Sequence, residues 1–230
     1  MGPGGVTLAN GYFAPGDALG DYPLISTREA VERMNRTGDV TIINAAPVVN
    51  AGPDVTVTEG AATPDLAAYG EVAEGADLVV NATNGLASLA VLRTVGAEAL
   101  AGKVLLDVAN ALDASQGFPP RLAVADGDSL AEQIQRAFPD TRVVKSLNTV
   151  NCAVMVDPKR VGDGLTTMFV AGDDVRARET VVSLLGQLGW FDIIEFGHLS
   201  AARGMEMWLP LWIRLMGRLG AVDFNLKIVR

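Results

Sequence analysis

The feature that most constrains this fold is a regular alternation of short apolar runs and amphipathic segments from residue 63 onward. Strands buried on both faces read as continuous apolar runs, and amphipathic segments between them read as covering helices. Repeated strand–helix units predict an α/β fold with a doubly wound, mostly parallel sheet and right-handed crossovers. The predicted strands are DLVVNAT (77–83), GKVLLDVAN (102–110), RVVKSLNTV (142–150), TTMFVAGDD (166–174) and FDIIEFG (191–197).

The segments between these strands carry helix signals. One helix breaks near Gly96, and another has Asp128 or Ser129 as its N-cap. The spacing of Leu130 and Ile134, continued by a phenylalanine four residues later, places one apolar face on that helix. The predicted helices are PDLAAYGEVAEGA (64–76), GLASLAVLRTVGAEAL (85–100), DSLAEQIQRAFPD (128–140) and VRARETVVSLLGQLGW (175–190).

Three successive strands end in small polar residues. Such residues after a single strand are most simply turn chemistry, but here they recur on strands that should be neighbours. The carboxyl ends of parallel strands meet at one edge of a sheet, where α/β proteins bind ligands. We therefore predict a ligand crevice, with Thr83 at its solvent-facing edge. Its lining residues are Asn81, Ala82, Thr83, Asn84, Asn110, Asn148 and Thr149.

Composition excludes several classes of protein. The 230 residues carry a net charge of −9 with no basic cluster, which argues against a nucleic-acid partner. A single cysteine, Cys152, excludes an intramolecular disulfide and a zinc cluster, so no metal site is predicted. The single histidine, His198, lies in a predicted loop and leaves little material for a catalytic triad. No apolar run is long enough to span a membrane, so a cytoplasmic globular protein is expected.

The first sixty residues are less regular. TREAVERMN (27–35) predicts a helix, DVTIINAA (39–46) the second strand of the sheet, and DVTVTE (54–59) a third. No strand is followed by G-x-G-x-x-G; the nearest substitute is Gly16 and Gly20 in PGDALG, a weak match. We therefore divide the chain into a divergent part (1–62), an α/β core (63–199) and a C-terminal helical segment (200–230).

The C-terminal segment, from Ser200, predicts a helix with one broad apolar stripe. The stripe either caps the sheet within one subunit or packs against its counterpart in a dimer. Pro210 should kink this helix and let Met207 lean toward the crevice. The stripe comprises Met205, Trp208, Leu209, Trp212, Leu215, Met216 and Leu219, with Arg203, Glu206, Arg214 and Arg218 largely off it.

From about residue 76 to residue 230 the chain resembles the coenzyme F420-dependent NADP reductase family. The matching stretches are ADLVVNATNG, LAGKVLLDVANAL, LAEQIQRAFPDTRVVKSLNTVN, MFVAGDD and ARGMEMWLPLWIRL. The resemblance implies a Rossmann-like domain that binds NADP, or NAD, with a C-terminal segment closing over coenzyme F420 in a homodimer. Hydride would pass directly between the two cofactors, so no catalytic side chain is expected.

The resemblance also implies roles for individual residues. Ala82, Thr83 and Asn84 would lie beside the nicotinamide ribose and phosphates, and Asn110 near the nicotinamide. Asn148 and Thr149 would face the deazaflavin ring of F420. Met207 would bind the substrate, the deazaflavin.

The amino-terminal third departs from the family. It lacks the glycine-rich turn for the pyrophosphate and an arginine after Ile43 for the 2′-phosphate of NADP. Two alternatives therefore stay open. One is a non-catalytic binding or scaffold protein with a degenerate dinucleotide site, and the other is an enzyme that uses the crevice for a non-redox ligand.

Overall fold

The computed structural model describes residues 76–230 and the backbone of residues 40–43. The predicted segments 1–39 and 44–75, including PGDALG, TREAVERMN, DVTVTE and most of PDLAAYGEVAEGA, lie outside the described residues. The described strands are β1 (Val40–Ile43), β2 (Leu78–Asn81), β3 (Val104–Asp107), β4 (Leu112–Asp113), β5 (Arg121–Leu122), β6 (Arg142–Ser146), β7 (Thr167–Ala171) and β8 (Asp192–Glu195).

Helices connect these strands where the sequence predicts them. Gly96, at a φ of 98°, separates the first two helices, and the side chain of Ser129 caps the third by accepting from the Glu132 N–H. The described helices are α1 (Ser88–Val95), α2 (Ala97–Leu100), α3 (Leu130–Ala137), α4 (Cys152–Val156), α5 (Val175–Leu188), α6 (Ala202–Met207) and α7 (Leu209–Leu219).

The main sheet has the order β1-β2-β3-β6-β7-β8, and a separate antiparallel hairpin pairs β4 with β5. The strands β1, β2, β3 and β6 run parallel, and β7 and β8 are parallel to each other. The pair β6–β7 is antiparallel, so the sheet is mostly parallel, with one reversal. The connection from β6 to β7 stays at one end of the sheet and therefore needs no full-length crossover helix. The short helix α4 in that connection agrees with the reversal.

The position of β1 corrects the strand assignment made from the sequence. Val40–Ile43 pairs directly with Leu78–Asn81, in parallel register. In the doubly wound order 3-2-1-4-5-6, with β2, β3 and β6 as strands 4, 5 and 6, the neighbour of strand 4 is strand 1. The segment therefore occupies the place of the first strand, not of the second. The absence of an arginine after Ile43 consequently says nothing about recognition of the 2′-phosphate.

Both faces of the sheet are buried at its central strands β2 and β3, as the apolar runs predict. Alternate residues of β2 and β3 point to opposite sides, so Val80 and Leu106 belong to one core and Val79 and Leu105 to the other. Helix α5 covers the first face, whereas α1 and α3 cover the second. On α3 the predicted apolar face is confirmed by the burial of Leu130, Ile134 and Phe138.

The C-terminal helices pack within the chain. The predicted C-terminal helix is divided at Trp208 into α6 and α7. The division lies two residues before Pro210, which has no N–H group to donate to the helix. Trp212 is only 8% exposed and stacks on Phe224 with ring centroids 5.0 Å apart. The third apolar cluster joins α7 to the β4–β5 hairpin and the C-terminal tail, through Leu112, Leu209, Trp212, Ile213, Met216 and Val222.

Two details of the predicted stripe are wrong. Leu219 is exposed, so the buried part of the stripe ends at Met216, three residues earlier. Glu206, predicted to lie on the polar side, is buried, because its carboxylate turns toward the sheet instead of toward solvent. Met207 is 44% exposed, and its approach to the crevice stays a prediction.

Candidate functional site

The predicted site lies at the carboxyl edge of β2, β3 and β6. Register pairs Asn81 with Asp107, and Asp107 with Lys145, so the three strand ends lie side by side. Helix α6 packs over this edge, because the Met205 carbonyl accepts a hydrogen bond from the Asn148 amide at 3.0 Å. The polar strand ends and the closing helix are therefore adjacent, as the sequence predicts.

Asn110 and Asn148 form a buried amide pair. Asn110 Nδ2 donates to the main-chain oxygen of Asn148 at 2.9 Å, which turns its own Oδ1 toward the Asn148 side chain. Asn148 Nδ2 then donates to Asn110 Oδ1 at 2.9 Å and to the Met205 carbonyl. Because these acceptors fix both amide orientations, Asn148 presents its Oδ1 as an acceptor only.

Thr83 does not lie at a solvent-facing edge. It is 1% exposed, and its hydroxyl donates to Asn81 Oδ1 at 2.8 Å and lies 2.8 Å from the Ser88 hydroxyl. The predicted solvent-facing position of Thr83 is therefore wrong. The chain turns inward immediately after β2, and the Thr83 hydroxyl contacts Ser88 at the start of α1. The half-buried residues Ala82 and Asn84 are more accessible, and Asn84 Oδ1 accepts from the Leu86 N–H.

Gly85 allows the loops after β2 and β3 to touch. A Cβ built on Gly85 would lie 2.2 Å from the main-chain oxygen of Asn110, a distance that no side chain tolerates. The requirement here is for close backbone approach rather than for an unusual dihedral angle. The sequence stretch NATNG therefore positions the second loop of the site through its last residue.

Two buried polar atoms at this edge have no hydrogen-bond partner among the described residues: Asn148 Oδ1 and Thr149 Oγ1. Buried polar atoms are nearly always paired, so unpaired ones call for an explanation. The Thr149 main-chain oxygen, in contrast, accepts from the Trp208 indole at 3.1 Å, which joins the end of β6 to the closing helices. An acceptor and a hydroxyl with unused capacity suit the amide and hydroxyl groups of a nicotinamide or a deazaflavin.

A buried lysine beside this edge was not predicted. Lys145, in β6, is completely buried, and its ammonium lies 2.8 Å from Asp107 Oδ2 and 3.1 Å from Glu206 Oε1. It also donates to the main-chain oxygen of Ala109. Burial lowers the pKa of Lys145, but the two carboxylates outweigh that effect and hold the pKa above its usual value. The side chain is therefore charged at neutral pH.

Both carboxylates around Lys145 have further partners. Glu206 accepts from the main-chain N–H groups of Leu130 at 2.8 Å and Ala131 at 3.3 Å, which are unsatisfied donors at the N-terminus of α3. Asp107 Oδ1 accepts from Asn81 Nδ2 at 2.8 Å. A continuous polar network thus runs from the end of β2 to α6. The signal that could have revealed it is a lysine within a strand predicted to be covered on both faces.

The other singled-out residues take no part in this edge. His198 is in a loop, with an exposed side chain 3.8 Å from Asp173. Within residues 76–230 and the β1 backbone, no group of His, Cys, Asp or Glu could hold a metal ion. Over the same part of the chain, no helix is long and apolar enough to cross a membrane.

The fold is that of a doubly wound α/β protein, and its polar strand ends meet at the carboxyl edge of the sheet, where such folds bind ligands. No protein-family model matches the chain. The F420-dependent NADP reductase of Methanocaldococcus jannaschii is 30% identical over 119 residues, which cover 51% of this chain and 52% of that protein. The chain thus matches about half the length of this curated relative.

A crystal structure from Arthrobacter sp. FB24 gives a longer match. That protein, provisionally named an F420-dependent NADP reductase, is 54% identical, with a TM-score of 0.69. The match covers 70% of this chain and 74% of that one. The chain therefore belongs to the F420-dependent NADP reductase family.

Proposed function

We propose that this protein is an NADP-dependent oxidoreductase that transfers hydride between NADP(H) and coenzyme F420 or another small acceptor. Family membership supports the reaction class, and the polar carboxyl edge supports the location of the site. The observation that carries the proposal is a pair of buried atoms beneath the closing helix that have no partner within the described part of the chain, Asn148 Oδ1 and Thr149 Oγ1. A family member without a ligand here would leave both groups desolvated at a cost of about 1–3 kcal/mol each.

The residues of the site divide by what they can offer a ligand. Asn148 accepts a hydrogen bond from an N–H or O–H donor, and the Thr149 hydroxyl donates or accepts. Ala82 and Asn84 are half-buried and therefore accessible to a ligand. Thr83 and Asn110 contribute by fixing their neighbours, because their side chains already have protein partners. Met207 has an exposed side chain on α6, and we assign it to the acceptor.

The reaction needs orientation more than side-chain chemistry. When bound, the two cofactors supply the hydride donor and acceptor carbons themselves. The protein then contributes by binding, alignment and exclusion of water. The hydrogen-bonded edge and the helix packed over it are suited to those three tasks.

We also propose that the protein acts as a homodimer. Met207 and Leu211, four residues apart on α6 and α7, expose apolar side chains on one side of the closing helices. Because Trp212 is buried within the subunit, its replacement would disrupt the core, and Leu211→Glu is the better test. A wild-type protein that sediments as a monomer at micromolar concentration refutes the dimer. A cytoplasmic location remains a prediction from the sequence.

Two matched variants test the proposed site. Thr149→Val removes a buried hydroxyl that has no partner among the described residues, so stability should stay the same or rise by up to about 1–3 kcal/mol, while NADPH or F420 affinity falls up to about tenfold, the worth of one hydrogen bond. Thr141→Val removes an equally buried hydroxyl that donates to the Leu100 carbonyl at 3.1 Å, near the opposite end of β6. It should lower stability and leave affinity unchanged.

Binding is measured by fluorescence titration with NADPH, NADH and F420, and turnover by loss of the visible absorbance of oxidised F420. Saturable binding of a nicotinamide with F420 bleaching supports the proposal. Binding of neither cofactor by the folded wild type refutes it and favours the scaffold alternative, which the missing glycine fingerprint motivates. Equal effects of the two threonine variants on affinity would refute the location of the site.

A further inference from the structure

The ammonium of Lys145 contacts three different segments of the chain. It donates to Asp107 on β3, to the Ala109 carbonyl in the loop that follows β3, and to Glu206 on α6. A buried ion pair is weak evidence for stability, because well-packed apolar residues often serve as well. Three partners from separate segments instead suggest that this lysine fixes where those segments lie.

The three contacts converge on the amide pair of the candidate site. The Ala109 carbonyl belongs to the peptide that leads into Asn110, so its hydrogen bond holds the Asn110 main chain. Glu206 follows Met205, whose carbonyl accepts from Asn148. Lys145 therefore holds both the partner of Asn148 in the β3 loop and its partner on α6.

Attachment of α6 to the core does not require this lysine. Arg203, also on α6, makes a bidentate ion pair with Glu132 on α3, at 2.6 and 2.8 Å. That pair is partly exposed and joins the same two helices that the Glu206 carboxylate joins. The two links differ in one respect: only the Glu206 link continues through Lys145 to the strand ends.

We propose that Lys145 is a positioning residue for the ligand site, acting through Ala109 and Glu206 to hold the Asn110–Asn148 amide pair in register. The catalytic consequence rests on the proposed function. The effect of Lys145 on the positions of the Asn110 and Asn148 amides does not rest on the proposed function. In this arrangement the orientation of Asn148 Oδ1 depends on a charge that touches no ligand.

Glu206→Gln is the informative variant, because it removes one carboxylate and leaves a neutral Lys145–Asp107 pair, so the protein should fold. The glutamine amide cannot accept from Lys145 and from both α3 main-chain N–H groups at once, which releases the lysine on one side. Glu132→Gln is the matched control. It makes the same chemical change and breaks the other link between α6 and α3.

The first measurement needs no ligand: the side-chain amide signals of Asn110 and Asn148 in a ¹⁵N-correlated NMR spectrum of the full chain. We expect Glu206→Gln to shift or broaden both signals and Glu132→Gln to leave them in place. The second is the single-turnover rate of F420 reduction at saturating NADPH, which we expect Glu206→Gln to lower tenfold or more and Glu132→Gln to change less than twofold.

The outcomes separate the two proposals. Unmoved amide signals in Glu206→Gln overturn the positioning role, whatever its thermal stability. Moved signals with an unchanged saturated rate also overturn it, because the amide pair would then be irrelevant to turnover. A wild type that binds no nicotinamide refutes the proposed function, while the amide signals still decide whether Lys145 positions the pair.

Discussion

Replacing Lys145 by methionine should be among the most destabilising single substitutions in the described part of the chain. Methionine matches the lysine stem in length but leaves Asp107 and Glu206 facing each other without a cation, at side-chain exposures of 0% and 3%. Removing one partner of a buried ion pair costs about 3–5 kcal/mol. Domains of this kind are stabilised by about 5–15 kcal/mol, so a large share would be lost.

The loss is measured by urea unfolding and by thermal melting. For a chain of this length each kcal/mol lowers the melting temperature by about 2–4 °C, so a fall of roughly 6–20 °C is expected. Lys103→Met is the matched control for net charge, because Lys103 is half-buried and donates to the Ala76 carbonyl at 2.7 Å. That variant should lose about 1.5–3 kcal/mol, the worth of a hydrogen bond from a charged group, and so less than Lys145→Met.

A second substitution identifies the cause. Adding Asp107→Asn to Lys145→Met removes one uncompensated charge while the asparagine Oδ1 can still accept from Asn81. The double variant should therefore be more stable than the single one, a non-additivity expected of residues in one network. A loss below about 1 kcal/mol for Lys145→Met, or a double variant less stable than the single, would refute the reasoning.

The pH dependence has a defined sign. The pKa of Lys145 is held above its ordinary value of 10.5, because the neighbouring carboxylates outweigh burial. A group whose pKa is raised by folding stabilises the protein fully below its unfolded pKa and loses that effect as pH rises through the folded value. The difference between wild type and Lys145→Met that is due to the ammonium should thus be flat from pH 7 to about 10 and shrink only above about 10.5.

Three further substitutions test other parts of the structure. Gly85→Ala should lose at least about 1–3 kcal/mol in urea unfolding and weaken NADPH binding, because its Cβ collides with the Asn110 main chain; unchanged values for both would contradict the close approach. Ser129→Ala should cost about 0.5–2 kcal/mol through loss of the α3 cap, and a neutral result would mean that the cap is dispensable. The hydrogen bond from Lys227 lowers the pKa of Asp192 to about 2. Asp192→Asn should therefore destabilise the protein at pH 7, and the loss of stability should decline below about pH 4 and vanish near pH 2. A loss of stability that is equal at pH 7 and pH 2 would contradict this pairing.

The sequence predicted the described core of the fold because its signals there are local. The apolar runs of β2 and β3 send alternate residues into the cores on the two faces of the sheet. Gly96 ends one helix through its positive φ, and Ser129 begins another as its N-cap. The reversal at β7 was not predictable in this way. A strand entering a sheet in either direction has the same apolar pattern, so the sequence did not reveal the antiparallel pair.

The meeting of the polar strand ends was predicted, whereas their individual contacts were not. Polar residues at neighbouring strand ends do meet, because parallel strands share a carboxyl edge. Their exposure was predicted wrongly at Thr83, because a threonine that follows a strand reads the same whether it faces solvent or bonds to the next helix. The position of β1 beside β2 likewise depends on pairing between distant segments, which no local pattern encodes.

Lys145 was missed although its strand carried the necessary information. In a sheet covered on both faces, a residue within a strand cannot reach solvent on either side, so a lysine there requires a buried counter-charge. The carboxylate nearest in register is Asp107, which lies directly opposite on β3 and could have been named from the predicted strand ends alone. Glu206 could not, because it reaches the lysine only after the chain has folded α6 back over the sheet. The contact of Lys145 with Asp107 follows from strand register and can thus be read from the sequence. Its contact with Glu206, on the helix that closes the site, depends on the tertiary fold.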